Sequence, residues 1–165
     1  MSRGFVKKSD QEEPPIIPPR ASLPDGVTNY VTSQGKEMLR EEKLKLEKQR
    51  ADLNIQDDTE RRRELAVIDG KLKLLNERLN SAQVLNPEQQ NKSEIRFGAN
   101  VKFKMNGSIQ DFKIVGVDEA NIKEKKIAFT SPLAIAMTSK KEGDNFEWLS
   151  SKINMYYLCS KPILI

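Results

Sequence analysis

Val101-Lys102-Phe103-Lys104-Met105-Asn106-Gly107-Ser108-Ile109-Gln110-Asp111-Phe112-Lys113-Ile114-Val115 is the stretch on which the fold turns. Val101 to Met105 and Ile109 to Val117 are rich in β-branched and aromatic residues, the types that pack well on a pleated, half-buried surface. Asn106-Gly107 joins them. A two-residue hairpin turn of the favoured kind needs positive φ at both central positions, and Asn-Gly supplies it at the least steric cost. The stretch therefore predicts a β-hairpin.

Toward the C-terminus, Ile127 to Thr130 reads as a third strand. Ser131 can cap a short helix with Pro132 at its first position, running to about Met137. Phe146 to Leu149 and Met155 to Cys159 read as two closing strands. The sum is a small, mostly antiparallel sheet with one short helix against it, an α+β domain over residues 94–165. Phe103, Phe112 and Trp148 fall at strand positions and are expected in its core. Cys159 reads as a small inert hydrophobe.

Toward the N-terminus the period changes. Thr32 or Ser33 can cap a helix that begins near Gln34, with Leu39, Leu46 and Leu53 seven residues apart and Leu44 beside them. Asn54 to Asp58 breaks that pattern. From about Thr59 the apolar positions Leu65, Ile68, Leu72, Leu75, Leu79 and Ala82 alternate three and four apart, the seam of a two-stranded coiled coil. A short connection favours antiparallel neighbours within one chain over pairing between two chains. Residues 32–86 are thus expected as a helical hairpin with a thin seam. Gly70 in the second helix suggests close approach of another backbone. Pro87 ends the helical pattern.

Residues 1–31 carry Pro14, Pro15, Pro18, Pro19 and Pro24 and read as an extended leader. It is either a disordered tail or a strap docked on the body or on a partner.

Composition excludes several classes. One cysteine and no histidine leave no disulfide framework, no zinc site of the usual Cys/His kind and no Ser-His-Asp or Cys-His nucleophile system. The net charge is only +4, and between Lys36 and Glu64 nine basic side chains face nine acidic ones, a solvated helix surface rather than a nucleic-acid stripe. Arg61-Arg62-Arg63 fits that surface, although it could also meet nucleic acid or an acidic partner. There is no apolar run of membrane-spanning length and no signal-peptide pattern, so a cytoplasmic protein is expected.

Four blocks carry a family resemblance: Phe97-Gly98-Ala99-Asn100-Val101, Ile114-Val115-Gly116-Val117-Asp118-Glu119-Ala120, Ser131-Pro132-Leu133-Ala134 and Gly143-Asp144. In that order and spacing they resemble the C-terminal domain of the GreA/GreB transcription elongation factors. The helix-type segment ending in Asn80-Ser81-Ala82-Gln83-Val84 fits the same family. Met1-Ser2-Arg3-Gly4-Phe5-Val6-Lys7 and Asn29-Tyr30-Val31-Thr32 resemble the leader of a subgroup of such proteins.

The resemblance implies an FKBP-like C-terminal domain that docks on RNA polymerase and a coiled-coil hairpin that enters the polymerase's secondary channel. It implies a monomer that meets nucleic acid only through the elongation complex and is not an enzyme in isolation. Family hairpin tips carry acidic residues that help place a Mg²⁺ in the polymerase active site, where the metal activates water to cut backtracked RNA. Asp57, Asp58 and Glu60 are the candidates here, with Asp57 and Asp58 as metal ligands only in the polymerase complex and no cofactor on the chain alone. An Asp before a helix also caps it, so Asp57 or Asp58 followed by Thr59-Glu60 equally reads as an ordinary helix start.

The resemblance makes Ser131-Pro132 the docking turn. It sets Asp118-Glu119 in an exposed loop, where the pair could meet basic polymerase residues or only end a strand. Gly98 and Gly116 read as positions needing backbone freedom.

The chain departs from the family in three places. The usual tip pattern Gly-Asp-x-x-Glu-Asn-Ala-(Glu/Asp)-Tyr is replaced by a stretch containing Arg50, Ala51, Leu53, Asn54, Ile55 and Gln56. The helices fall short by roughly one heptad each, about 10 Å of reach. Ser150-Ser151-Lys152 stands where a Pro-Gly-Gly turn is usual, and the apolar end Pro162-Ile163-Leu164-Ile165 needs burial. Stimulation of RNA cleavage and cleavage-inactive occupation of the channel, in competition with true cleavage factors, both remain open on these residues.

Overall fold

A computed structural model describes residues 14–148 and, as backbone, 151–159. Met1–Lys7, the Pro162–Ile165 end and the Cys159 side chain lie outside the described residues.

Helix α1 spans Ser33–Ala51 and α2 spans Asp58–Ser81. Thr32 caps α1, its hydroxyl accepting from the Gly35 N–H at 2.9 Å. Asp57 caps α2, accepting from the Glu60 N–H at 2.8 Å. The helices lie side by side and run in opposite directions. Arg50 in the last turn of α1 meets Asp69 of α2 at 2.6 Å, whereas Asn29, just before α1, donates to the Arg78 carbonyl at the far end of α2 at 3.0 Å. The seam is thin. Leu39 and Leu46 of α1 and Leu75 of α2 are buried with Val31, and Leu72, Leu79 and Ala82 pack against them. Leu44 stays exposed, and Leu53 falls beyond the end of α1 and is only half-buried.

The leader is a strap. Residues 14–29 cross both helices, and β1 (Tyr30–Val31) pairs in parallel with β2 (Gln83–Val84), the segment leaving α2. The Gln83 N–H donates to the Asn29 carbonyl at 2.9 Å and the Leu85 N–H to the Val31 carbonyl at 3.1 Å. Entry to and exit from the helix pair are thereby stitched together. Gly70 does make room for another part of the chain, but for a side chain and not a backbone. A Cβ at Gly70 would stand 2.1 Å from Cδ1 of Ile17. That fit is one reason the leader docks instead of remaining a free tail.

The second unit is a five-stranded sheet in the order β5-β4-β3-β7-β6. Its strands are β3 (Asn100–Met105), β4 (Ser108–Val115), β5 (Lys126–Ala128), β6 (Asn145–Trp148) and β7 (Ser151–Cys159). The β3–β4 hairpin turns at Asn106 and Gly107 with φ of 50° and 82°, the pair of positive values its sequence demands. β5 runs parallel to β4, unlike the other pairs in the sheet. The physical reason is the crossover at residues 116–125, whose two short 3₁₀ turns bring the chain back beside Lys113, so that β5 runs along the last three residues of β4 in the same direction. Helix α3 (Pro132–Met137) buries Ala134 and Met137 in the core formed by Ile95, Val101, Phe103, Ile114 and Ile127. Phe112, Phe146 and Trp148 pack at its margin.

Candidate functional site

Three places hold the residues singled out from sequence. The first is the end of the helix pair. Asp57, Asp58 and Glu60 stand together there, all exposed. Asp57 is occupied as the cap of α2, and the Asp58 carboxylate meets the Arg61 guanidinium at 2.6 Å. Glu60 contributes its backbone N–H to the cap. A Mg²⁺ held by protein oxygens needs carboxylates aimed at one point. Here each aspartate is engaged by the start of the helix, and three arginines, Arg61-Arg62-Arg63, follow at once. Among the described residues no group of three or more His, Cys, Asp or Glu is placed to hold a metal ion. This donor set does not fit a preformed cation site.

The second place is the turn into α3. Ser131 is its N-cap, its hydroxyl accepting from the Ala134 N–H at 3.3 Å, and Pro132 occupies the first turn. Pro132 is exposed and so is Ile135, one turn on and on the same face. Proline fixes its own φ, so the turn presents an apolar knob with little conformational freedom left to lose on docking. Ile135 was not singled out from sequence. The clue available was its i+3 spacing from Pro132 in a helix whose other face, Ala134 and Met137, is fully buried.

The third place corrects an expectation. Asp118 and Glu119 do not lie in an exposed loop. They sit in the 3₁₀ turn after β4 and point inward, into the junction between the sheet unit, the helix pair and the leader. Asp118, its side chain only 6% exposed, receives Arg20 of the leader at 2.9 Å and Arg78 of α2 at 3.0 Å. Arg20 spans a second partner, Glu42 of α1, with two bonds of 2.8 and 3.0 Å. The Glu42 carboxylate, and with it Asp118, hold the Arg20 guanidinium above its already high range, against the opposing effect of burial. Glu119 is buried and accepts from the Thr32 N–H at 3.0 Å, the Thr32 hydroxyl and the Gly116 N–H at 3.1 Å.

Two glycines make that junction possible. A Cβ on Gly35 would stand 2.1 Å from the Glu119 carboxyl carbon, and one on Gly116 would stand 2.8 Å from the Tyr30 carbonyl oxygen. Gly116 has an ordinary φ of −63°, so it serves close approach rather than backbone freedom, whereas Gly98 has φ of 81°. Tyr30 completes the junction from the leader, its ring 6.1 Å from Phe97 and 5.9 Å from Phe129 of the sheet unit. Arg20, Gly35, Glu42 and Arg78 were not legible as one cluster. The available hints were a lone charge among prolines and a glycine in the first turn of a helix.

A shallow cleft at the junction is lined by Pro18, Arg20, Glu42, Leu46 and Asp118, residues already engaged in holding the parts together. Among the described residues no helix is long and apolar enough to cross a membrane.

The family described as "Transcription elongation factor, GreA/GreB, C-term" matches residues 89–157. Transcription elongation factor GreA of Hyphomonas neptunium is 40% identical over 82 residues, 48% of this chain and 52% of that protein. Transcription elongation factor GreB of Neisseria meningitidis serogroup A is 36% identical over 85 residues, 50% of this chain and 52% of that protein. The chain spans about half the length of the curated relatives it matches. A solved GreA/GreB structure from Nitrosomonas europaea aligns with 80% of this chain and 98% of its own at 16% identity, with a TM-score of 0.38, a likeness too loose to carry an argument. Residues 89–157 thus match the C-terminal domain of the GreA/GreB transcription elongation factors, and the chain is similar to curated members of that family over about half its length.

Proposed function

We propose that this chain binds RNA polymerase through its C-terminal domain and lays its helix pair, as an antiparallel coiled-coil hairpin, into the polymerase's secondary channel. The observation that carries the reading is the family match over residues 89–157, the unit that presents the Ser131-Pro132 turn. In this reading the five-stranded sheet with α3 is an FKBP-like clamp, Pro132 and Ile135 are its contact points, and the protein works as a monomer in the cytoplasm with no cofactor of its own. It is not an enzyme in isolation. Fold likeness alone would not license a function; here the docking turn itself lies inside the matched segment.

Whether the hairpin stimulates RNA cleavage is a separate matter, and the tip favours the cleavage-silent reading. Asp57 caps α2 and Asp58 pairs with Arg61, so neither carboxylate is set aside for a metal. Reacting groups must be held to within a fraction of an ångström to contribute. The chain is therefore proposed as a secondary-channel regulator that competes with true cleavage factors.

The test uses purified chain and core polymerase. Binding is expected, and Ile135→Asp should weaken it roughly tenfold, about 1.4 kcal/mol. On stalled elongation complexes the protein should leave the RNA length unchanged while blocking a cleavage factor added with it. Absence of binding overturns the whole reading. Shortened RNA, lost again in Asp57→Ala/Asp58→Ala, overturns only the cleavage-silent part.

A further inference from the structure

We propose that residues 17–32 form an interdomain latch, with Arg20 as the positioning residue that sets the angle between the helix pair and the C-terminal sheet unit. Both sides of the latch belong to this chain, so the inference stands independently of any polymerase contact.

The leader touches both units along its length. Ile17 seats on Gly70 of α2, where any Cβ would displace it. Arg20 grips Glu42 of α1 with a two-bond fork and reaches Asp118 of the sheet unit at 2.9 Å with the same guanidinium. Arg78 of α2 donates to the Ala21 carbonyl of the leader and also meets Asp118 at 3.0 Å. Tyr30 then packs its ring against the touching pair Phe97 and Phe129 of the sheet unit, and Thr32, the cap of α1, closes on Glu119.

Without the leader, the ion pairs between the two units would reduce, among the described residues, to Arg78–Asp118. Units within one chain move relative to each other unless the interface between them is large and apolar. Here the units are joined by directed polar bonds of Arg20, Arg78 and Glu119 beside one cluster of three rings, Tyr30, Phe97 and Phe129. A planar guanidinium with several donors in fixed directions suits a junction that must hold an angle, because it specifies direction as well as contact.

The experiment places spin labels on Gln56→Cys, at the exposed end of the helix pair, and Ser108→Cys, at the exposed hairpin of the sheet unit, in the full chain with Cys159→Ser. The native leader should give one narrow distance distribution. Arg20→Ala should broaden it and shift its mean while leaving the helix content of each unit unchanged. Arg20→Lys should restore the narrow peak only in part, because an ammonium cannot hold both carboxylates with the same directed fork.

If Arg20→Ala proves too unstable to measure, Gly70→Ala loosens the other end of the latch without touching a charge, and the same loss of the narrow peak is expected. An unchanged distribution in Arg20→Ala or, should that variant not fold, in Gly70→Ala would overturn the proposal. So would an equally broad distribution in the unsubstituted protein.

Discussion

The tip of the helix pair and the junction at its base are both built from Arg, Asp and Glu, yet they differ in almost every physical respect. At the tip, Asp57, Asp58, Glu60 and Arg61 are exposed and arranged by helix-start chemistry alone: a cap, and an i,i+3 ion pair. At the junction, Arg20, Arg78, Asp118 and Glu119 are mostly buried and come from three separate parts of the chain. An exposed ion pair is screened by water and holds little in place. A buried charge must be matched, so each partner becomes a constraint on the others. Tip charges are thus free to vary, whereas those at the junction decide how the parts fit.

Removing one junction charge is the hardest test of that contrast. Asp118→Ala leaves Arg20 and Arg78 facing the same pocket without their shared carboxylate, and breaking a buried pair in this way costs about 3–5 kcal/mol. Chemical denaturation of the full chain should show that loss. Gly35→Ala comes next. Its methyl group would overlap Glu119, and overpacking of this kind costs about 1–3 kcal/mol, offset in part by the better helix propensity of Ala, about 1 kcal/mol. The same substitution made together with Glu119→Ala should lose its penalty, because the side chain it collides with is gone.

Asp57→Ala tests the tip. Loss of the cap should lower stability by about 0.5–2 kcal/mol and fray the first turn of α2, with the junction and its interdomain distance unchanged. The smallest effect is expected from the exposed surface pairs. Lys126 holds the Glu124 carboxyl below its ordinary range and Arg96 does the same for Glu94. A depressed carboxyl contributes stability above its ordinary pKa and loses it as pH falls through the folded-state value. The Glu124 side chain is exposed and its ion pair is screened by water, so Glu124→Gln should leave the acid limb of a thermal-melt series where it was. A large shift there would mean that exposed pairs matter more in this fold than the contrast allows.

Much of the molecule was legible in local sequence. Asn106-Gly107 specified the hairpin because few other dipeptides tolerate two positive φ values. Ser131-Pro132 specified the start of α3, and the leucine spacing of α2 specified which face would be covered. The direction of β5 was harder. A parallel neighbour depends on how residues 116–125 cross, and no local pattern encodes that path. Asp118 and Glu119 were misplaced for a related reason. A carboxylate after a strand looks like a loop residue until its partners are known: Arg20 and Arg78 reach Asp118 from 98 and 40 residues earlier in the chain, and Thr32 reaches Glu119 from 87 residues earlier. The leader was ambiguous because proline-rich, weakly apolar chain docks only where a matching surface exists, and Gly70 and Asp118 supply it from elsewhere.

By itself, the order of residues determined which segments are helices and which are strands, which residues turn the chain at the hairpin and which family the C-terminal half resembles. These depend on neighbours a few positions apart. Only the tertiary structure decided that the leader is a strap, that an acidic pair is buried rather than displayed, and that two glycines exist to admit a carboxylate and a backbone carbonyl. Those outcomes depend on charges and surfaces brought together across the chain, where burial makes each unmatched group too costly to leave alone.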